Sequence, residues 1–415
     1  MRAYHFSECP YPDAWHPKDW DGPIRVTLPN RYFDPRQAAD MLNDRIDEWV
    51  LADELGLDIM INEHHSTSTC LTSSCMVPLA ILARQTKKAR LLTLGVPIGH
   101  RQDPLLVAEE LSYIDVVSRG RLEMGLVKGY SAEAAPTNMN PAELNARYWE
   151  AHDLIIKAMT HHDGAFNWEG EYFHFRQVNI WPRPYQQPHP PVWITCFSPQ
   201  SAIPVADRNY IVSGSIDAIS SKAIFDTYRK RFAELGRPAP GMDKFAYLVL
   251  VGVGRTEQEG FERLHKVRGW VWSSGQTPEA FGNPPGYLPV AANVQRLKKY
   301  PEIPAWTSRA VGRSGKVVNP SYDDPRDLVD IGMGFGGTPD QVFEQIRDFY
   351  EYMGGFGHLL AMMHGGDLSH PDAVDSMTLF ATEVLPRLQE LKPLQTADSD
   401  ALDALRERAR AGTNN

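Results

Sequence analysis

LDIMI (57–61), RLLTLGVPI (90–98) and RLEMGLV (121–127) are three short apolar runs separated by stretches of helical period at Met76–Gln85 and Leu105–Val117. Strands covered on both faces read as continuous apolar runs, whereas an amphipathic helix repeats its apolar residues every three or four positions. Strand and helix in strict alternation place the strands parallel, with helices packed on the sheet. The pattern extends outward in both directions. Tyr4–Ser7 is a strand, and a helix across Ala38–Leu55 sets Met41, Leu42, Ile46, Trp49 and Val50 on one face. After the opening stretch come a long helix near Glu143–Met159 and strands at Pro191–Thr195, Asn209–Gly214, Phe245–Val253 and His358–Met363. Eight strands with helices between them predict a single (β/α)8 TIM barrel of the α/β class, with long insertions at the C-terminal face of the strands. An open doubly wound sheet is the rival, because strand number alone does not close a barrel.

The 415 residues carry 52 acidic and 42 basic side chains, a net charge of -10 spread along the chain. That balance argues against a nucleic-acid or anionic-membrane surface and favours a small-molecule partner. Cys9, Cys70, Cys75 and Cys196 form no CxxC pair, so no metal finger or disulfide framework is expected, and a reducing cytoplasm fits. The N-terminal MRAYHFSECPYPDAW has no secretory pattern, and no apolar run is long enough to span a bilayer.

Three connections exceed the two to six residues usual in such units. Pro10–Gln37 follows the first strand, and Asp163–Pro190 contains the hairpin-like run AFNWEGEYFHF. Trp270–Phe335 holds Trp270, Trp272, Phe281, Tyr287, Tyr300 and Trp306 among many Gly and Pro. The organisation expected is one barrel domain over residues 1–391, a lid-like insertion at about 270–335 and a polar tail over 392–415.

Parallel strands put all their C-terminal ends on one face, where barrel enzymes act. There the sequence places Asn62, Glu63, His64 and His65, the run Gly95–His100, then Lys128, Gly129 and Tyr130, and finally Thr195, Cys196, Phe197 and Ser198. Ser198 reads as a helix cap with Pro199 at the first helical position and Ser201 in the first turn. Such a helix start is a natural seat for a phosphate, with Lys128 and Arg147 able to balance its charge. Neighbouring side chains on a strand diverge, so Glu63, His64 and His65 do not converge on a metal, and none is expected. An acid and two histidines at this face suit proton handling near neutral pH. Gly332, Gly334 and Gly337 satisfy GxGxxG but follow no strand and precede a helix opened by Thr338-Pro339, and so read as loop and cap.

EHH at 63–65, LGVPIGHRQDPLLVAEELSYIDVVSRGRLEMGLVKGY at 94–130, NARYWEA, WPRP, PPVWIT, GGTPDQV and EVLPRL together resemble the bacterial-luciferase-like flavin monooxygenases, from Met1 to about Leu391. The resemblance implies FMN as cofactor, in its reduced form as co-substrate. It places His64 as the catalytic residue beside the flavin, with His65 and Glu63 shaping the pocket. Gly95 and Val96 correspond to the backbone against the flavin ring, Lys128 and Arg147 to the phosphate-gripping cations, with Tyr130 on the same loop. Thr195, Phe197, Ser198 and Ser201 correspond to positions lining the phosphate and ribityl chain. Lys128 stands where Arg is frequent, and Val127 where the light-emitting subunit has a reactive cysteine, so light emission is not implied. The implied activity is a two-component monooxygenase with a separate NAD(P)H:flavin reductase, O2 and a small organic substrate, assembled as a homodimer, and the Trp and Tyr of the long loops favour an apolar substrate. Its alternatives are an F420-dependent hydride-transfer oxidoreductase and a non-catalytic flavin-binding protein.

Overall fold

All eight expected strands form, and they close on themselves. In the computed structural model, which describes residues 1–214, 217–290, 294 and 309–391, the barrel strands are β1 (Arg2–Ser7), β2 (Asp58–Ile61), β3 (Leu91–Pro97), β4 (Leu122–Val127), β7 (Val192–Thr195), β8 (Ile211–Gly214), β9 (Phe245–Val253) and β13 (His358–His364). The intervening β5 (Phe166–Glu169) and β6 (His174–Val178) form an antiparallel hairpin outside the barrel, as the aromatic run predicts. Each barrel strand pairs in parallel with its neighbour in the order β1-β2-β3-β4-β7-β8-β9-β13, and β13 pairs with β1 through registers such as Arg2↔His358. Closure excludes the open-sheet rival.

The helices start where the sequence supplies caps. Asp34 accepts from Arg36 N at the head of α1 (Pro35–Glu54), and Asp103 from Leu105 N and Leu106 N at the head of α3 (Pro104–Ser118), each with proline at the first position. Helices α2 (Met76–Gln85), α4 (Leu144–Thr160), α5 (Pro199–Asp207), α6 (Ala218–Glu234) and α7 (Glu257–Val267) complete most of the outer layer. Strand alternation sorts the core into two shells. Tyr4, Phe6, Met60, Leu92, Leu94, Trp193, Leu250 and Met362 fill the barrel, while Ile59, Ile61, Leu91, Val96, Met124 and Val212 pack outward against helices.

One expectation is corrected. Gly334–Gly337 is a strand, β12, paired with the end of β9 from Gly334↔Leu250 to Gly337↔Val253, on the edge whose beginning pairs with β8. The glycines fit because α7 packs against them: a Cβ at Gly260 would lie 2.4 Å from Gly337 N. The helix after it starts as expected, with Thr338 and Gln341 in a capping box.

The long insertion carries helices Gly269–Gly275 and Glu279–Gly282, the two-residue ladder Ala310–Val311 with Val317–Val318, and helix Asp327–Ile331. Tyr300, Trp306 and the tail over 392–415 lie outside the described residues. Among the described residues no helix is long and apolar enough to cross a membrane.

Candidate functional site

β2 ends at Ile61, and the residues after it turn over the barrel mouth. His64 Nδ1 lies 2.8 Å from Glu133 Oε1, and its Nε2 lies 3.6 Å from Glu8 Oε1. Glu133 sits in the short helical turn after β4, and Glu8 directly follows β1. Both carboxylates are buried, while the His64 side chain keeps 22% of its surface open. Burial alone would pull the imidazole down. The charge of Glu133, its hydrogen bond and that of Glu8 outweigh burial and lift His64 to about 9, with Arg25 opposing. Glu133 answers in kind. Against burial, the charge and hydrogen bond of His64, the His65 amide and Arg25 bring it down to about 2.

His64, His65 and Glu63 lie past the end of β2, so strand alternation does not govern them: His64 turns to Glu133 and Glu8 while His65 meets Glu63. His65 N donates to Glu133 Oε1 at 3.0 Å, and its Nε2 contacts Glu63 Oε1 at 3.0 Å. Glu63 turns inward: its Oε1 also accepts from Arg101 Nη2 at 2.6 Å, and Oε2 from Cys75 N at 3.1 Å. It therefore anchors the segment rather than facing the mouth.

Neither candidate cation makes a salt bridge among the described residues, although Glu150 and Glu143 act on Arg147 from α4 and its start. Lys128 Nζ sits 3.7 Å above the ring of Tyr287, and burial lowers its pKa. Arg147 lies over Phe173 at 4.2 Å, donates to Arg101 O at 2.9 Å, and has a buried Nε with no partner. Both press on His100, which burial brings down to about 4 despite Glu133, with His65, Lys128 and Arg147 adding to the drop. Tyr130 faces His64 edge-on at 6.4 Å and contacts Thr277 Oγ1 at 3.1 Å. The insertion is thus fastened over the mouth, and Tyr287 Oη donates to Gly129 O at 3.0 Å.

At the end of β7, Thr195 is half-buried and Phe197 is exposed. Ser198 and Ser201 form a capping box at the head of α5: Ser201 Oγ donates to Ser198 O at 2.6 Å, and Ser201 N to Ser198 Oγ at 3.3 Å. Their hydroxyls therefore serve the helix cap.

Gly95 and Val96 form a β-bulge. Leu94 pairs with Gly125 and Val96 with Leu126, so Gly95 is skipped, and the Leu94–Gly95 peptide is cis. The extra residue shifts the alternation, so Val96 faces the outer core and only backbone is presented toward the barrel. A Cβ on Gly95 would lie 2.5 Å from Val127 Cγ1.

Sequence reading missed Glu8, Arg25 and Glu133. Glu133 lies 69 positions from His64, a separation no local motif reveals. It also missed a buried cluster behind β1. There Glu48 binds His5 Nε2 at 2.6 Å, His364 Nδ1 at 2.8 Å, His370 Nδ1 at 3.1 Å and Arg45 Nη1 at 2.8 Å. Its three ligand atoms from Glu48, His364 and His370 lie within 4.8 Å, but Arg45 already neutralises the carboxylate and contacts His364. Two surface clefts, of about 390 and 400 Å3, lie on the flanks, one along α7 and one between α2 and α3, away from this chemistry.

A family model for luciferase-like monooxygenases matches residues 24–355. The chain belongs to that family. The oxygenase component of the flavin-dependent trigonelline monooxygenase of Acinetobacter baylyi is 27% identical over 175 residues, 41% of this chain and 48% of that protein. The chain spans about half the length of the curated relatives it matches. Two solved structures share the fold. The oxygenating constituent of 3,6-diketocamphane monooxygenase from Pseudomonas putida, a type II Baeyer–Villiger enzyme in complex with FMN, superposes with a TM-score of 0.67 at 20% identity, covering 93% of this chain and 98% of that one. An F420-dependent secondary alcohol dehydrogenase superposes at 0.60 with 14% identity, covering 85% and 95%.

Proposed function

We propose that the chain is the oxygenase of a two-component flavin-dependent monooxygenase, taking reduced FMN from a separate NAD(P)H:flavin reductase and oxygenating a small organic substrate with O2. One observation carries the reading: two cations without salt bridges among the described residues, Lys128 and Arg147, both act on His100 at the barrel mouth, where His64 lies against Glu133 and Glu8. Half-buried cations without a salt bridge fit an anionic ligand group, and the buried Arg147 Nε, without a partner among the described residues, fits a further acceptor. The residues present therefore suit the FMN phosphate.

Bound reduced FMN would supply the electrons that activate O2. Lys128 and Arg147 would hold the phosphate. Thr195 and Phe197 would line the ribityl chain, and the bulge at Gly95 and Val96 would offer backbone to the ring. His64 holds a proton at Nε2, since Nδ1 is tied to Glu133, and passes it to the reacting groups. His65 and Glu63 hold this segment in place. Tyr130, Tyr287 and the described helices of the insertion, Gly269–Gly275 and Glu279–Gly282, would exclude water as a lid over the one barrel domain.

The same chain presents Val77 on α2, Leu106 and Tyr113 on α3, and Trp181 in the loop before β7, with Trp181 80% exposed. So large an apolar face suits a homodimer contact.

Reconstitution with reduced FMN, O2 and a panel of ketones and terpenes, with products read by mass spectrometry, tests the function. Oxygenated product is expected, and His64→Ala should keep flavin binding while losing product. Tight binding of oxidised F420 without consumption of reduced FMN would replace the reading with hydride transfer. Flavin held without turnover would make the chain a flavin-binding protein.

A further inference from the structure

Two buried polar atoms beside His64 have no partner among the described residues: Glu8 Oε2 and Arg25 Nη2. Each residue is only 3% exposed. Glu8 is fixed through its other oxygen, which accepts from Asn62 Nδ2 at 3.0 Å and faces His64 Nε2. Arg25 is fixed too. Its Nε donates to Thr69 Oγ1 at 3.0 Å, its guanidinium lies 4.8 Å from the Tyr130 ring centre, and its backbone N donates to Gln276 O in the insertion at 3.0 Å. Both charges act on His64 and on the thiol of Cys70, so the two groups flank the same side chains. Among the described residues no ion pair joins them, and a buried charge without a partner is costly.

A buried acceptor and a buried donor, each without a partner among the described residues, are costly unless a ligand completes them. The local charges already balance, since the carboxylates of Glu8 and Glu133 stand against Arg25 and protonated His64. A charged ligand would be left uncompensated there. We propose that Glu8 and Arg25 form a head-group site beside His64 whose substrate is a neutral molecule carrying both an acceptor for Arg25 and an N–H or O–H donor for Glu8, such as a lactam or hydroxyketone. This departs from the apolar substrate expected from the loop aromatics. It rests on the monooxygenase reading for the substrate role, but head-group binding is measurable without turnover.

The test uses four ring probes of similar size, methylcyclohexane, cyclohexanone, caprolactam and cyclohexanecarboxylate, titrated by calorimetry against the full chain with and without FMN. Caprolactam should bind about tenfold or more tighter than methylcyclohexane, with cyclohexanone between them. Arg25→Met should bring ketone and lactam to the hydrocarbon level, Arg25→Lys should restore part of the preference, and Glu8→Gln should erase only the lactam's advantage over the ketone. FMN affinity should be unchanged in each folded variant, and Arg25→Lys with Glu8→Gln decides the matter if Arg25→Met fails to fold. Equal binding of hydrocarbon and lactam, tightest binding of the carboxylate, or equal weakening of all probes would each overturn the proposal. Failure of the wild type to bind FMN would instead end the monooxygenase reading, leaving the probe series to judge the head-group site alone.

Discussion

Glu133→Gln isolates the charge that loads His64. The amide keeps an oxygen within reach of His64 Nδ1 and of the His65 amide, now at 2.8 and 3.0 Å, but removes the strongest influence raising the imidazole. The lift from 6.5 to about 9 corresponds to about 3 kcal/mol of preference for the protonated ring. The sign follows from linkage. His64 has a folded value above its unfolded one, so the stabilisation is complete below about 6.5 and is lost as pH rises through about 9. Glu133 has a folded value below 4.5, so its share is present above 4.5 and is lost as pH falls toward about 2. The same coupling appears at both partners and counts once. Urea unfolding should therefore show the variant about 2–3 kcal/mol less stable between pH 5 and 7, with the gap closing above about 9. NMR titration of the His64 Cε1 proton should show the apparent pKa falling from about 9 to below 6.5, because burial then acts with less opposition. An unchanged titration, or a stability gap that persists undiminished at pH 10, would refute the electrostatic account of this pair.

Gly95→Ala should destabilise the barrel by about 1–3 kcal/mol, because its Cβ meets Val127 Cγ1 at 2.5 Å, and adding Val127→Ala should recover part of that loss in thermal melts. Without that recovery, the contact with Gly125 O at 3.0 Å would be the deciding clash. Trp181→Glu should convert a dimer to monomer in sedimentation equilibrium, and an unaltered mass would move the interface elsewhere. Arg147→Met should weaken reduced FMN about tenfold or more while leaving the His64 titration unchanged, because the lost group is a charged hydrogen-bond donor. Unaltered affinity would remove Arg147 from the phosphate site.

The barrel was legible because parallel strands buried on both faces must be apolar throughout, so Leu57–Ile61 and Phe245–Val253 announce themselves without alternation. Ser198, Pro199 and Ser201 announced the head of α5 for a different reason, since capping chemistry is local. β12 stayed hidden because Gly334–Gly337 has almost no side chains to carry a period, and its strand character comes from backbone pairing with β9. The histidines were visible in the EHH run, but their electrostatics were not. What loads His64 comes from Glu133 on another loop and Glu8 on another strand end, brought together only by closure of the barrel. Val96 could be read as flavin-facing, yet only the bulge shows that its side chain turns away.

The central claim is that Lys128 and Arg147 receive the phosphate of a flavin whose ring lies at the mouth shared with His64. Anaerobic titration with reduced FMN and with reduced riboflavin, which differ only by that phosphate, measures it directly. FMN should bind about tenfold or more tighter, and Lys128→Met with Arg147→Met together should abolish the difference. Equal affinity of the wild type for the two flavins would contradict the account.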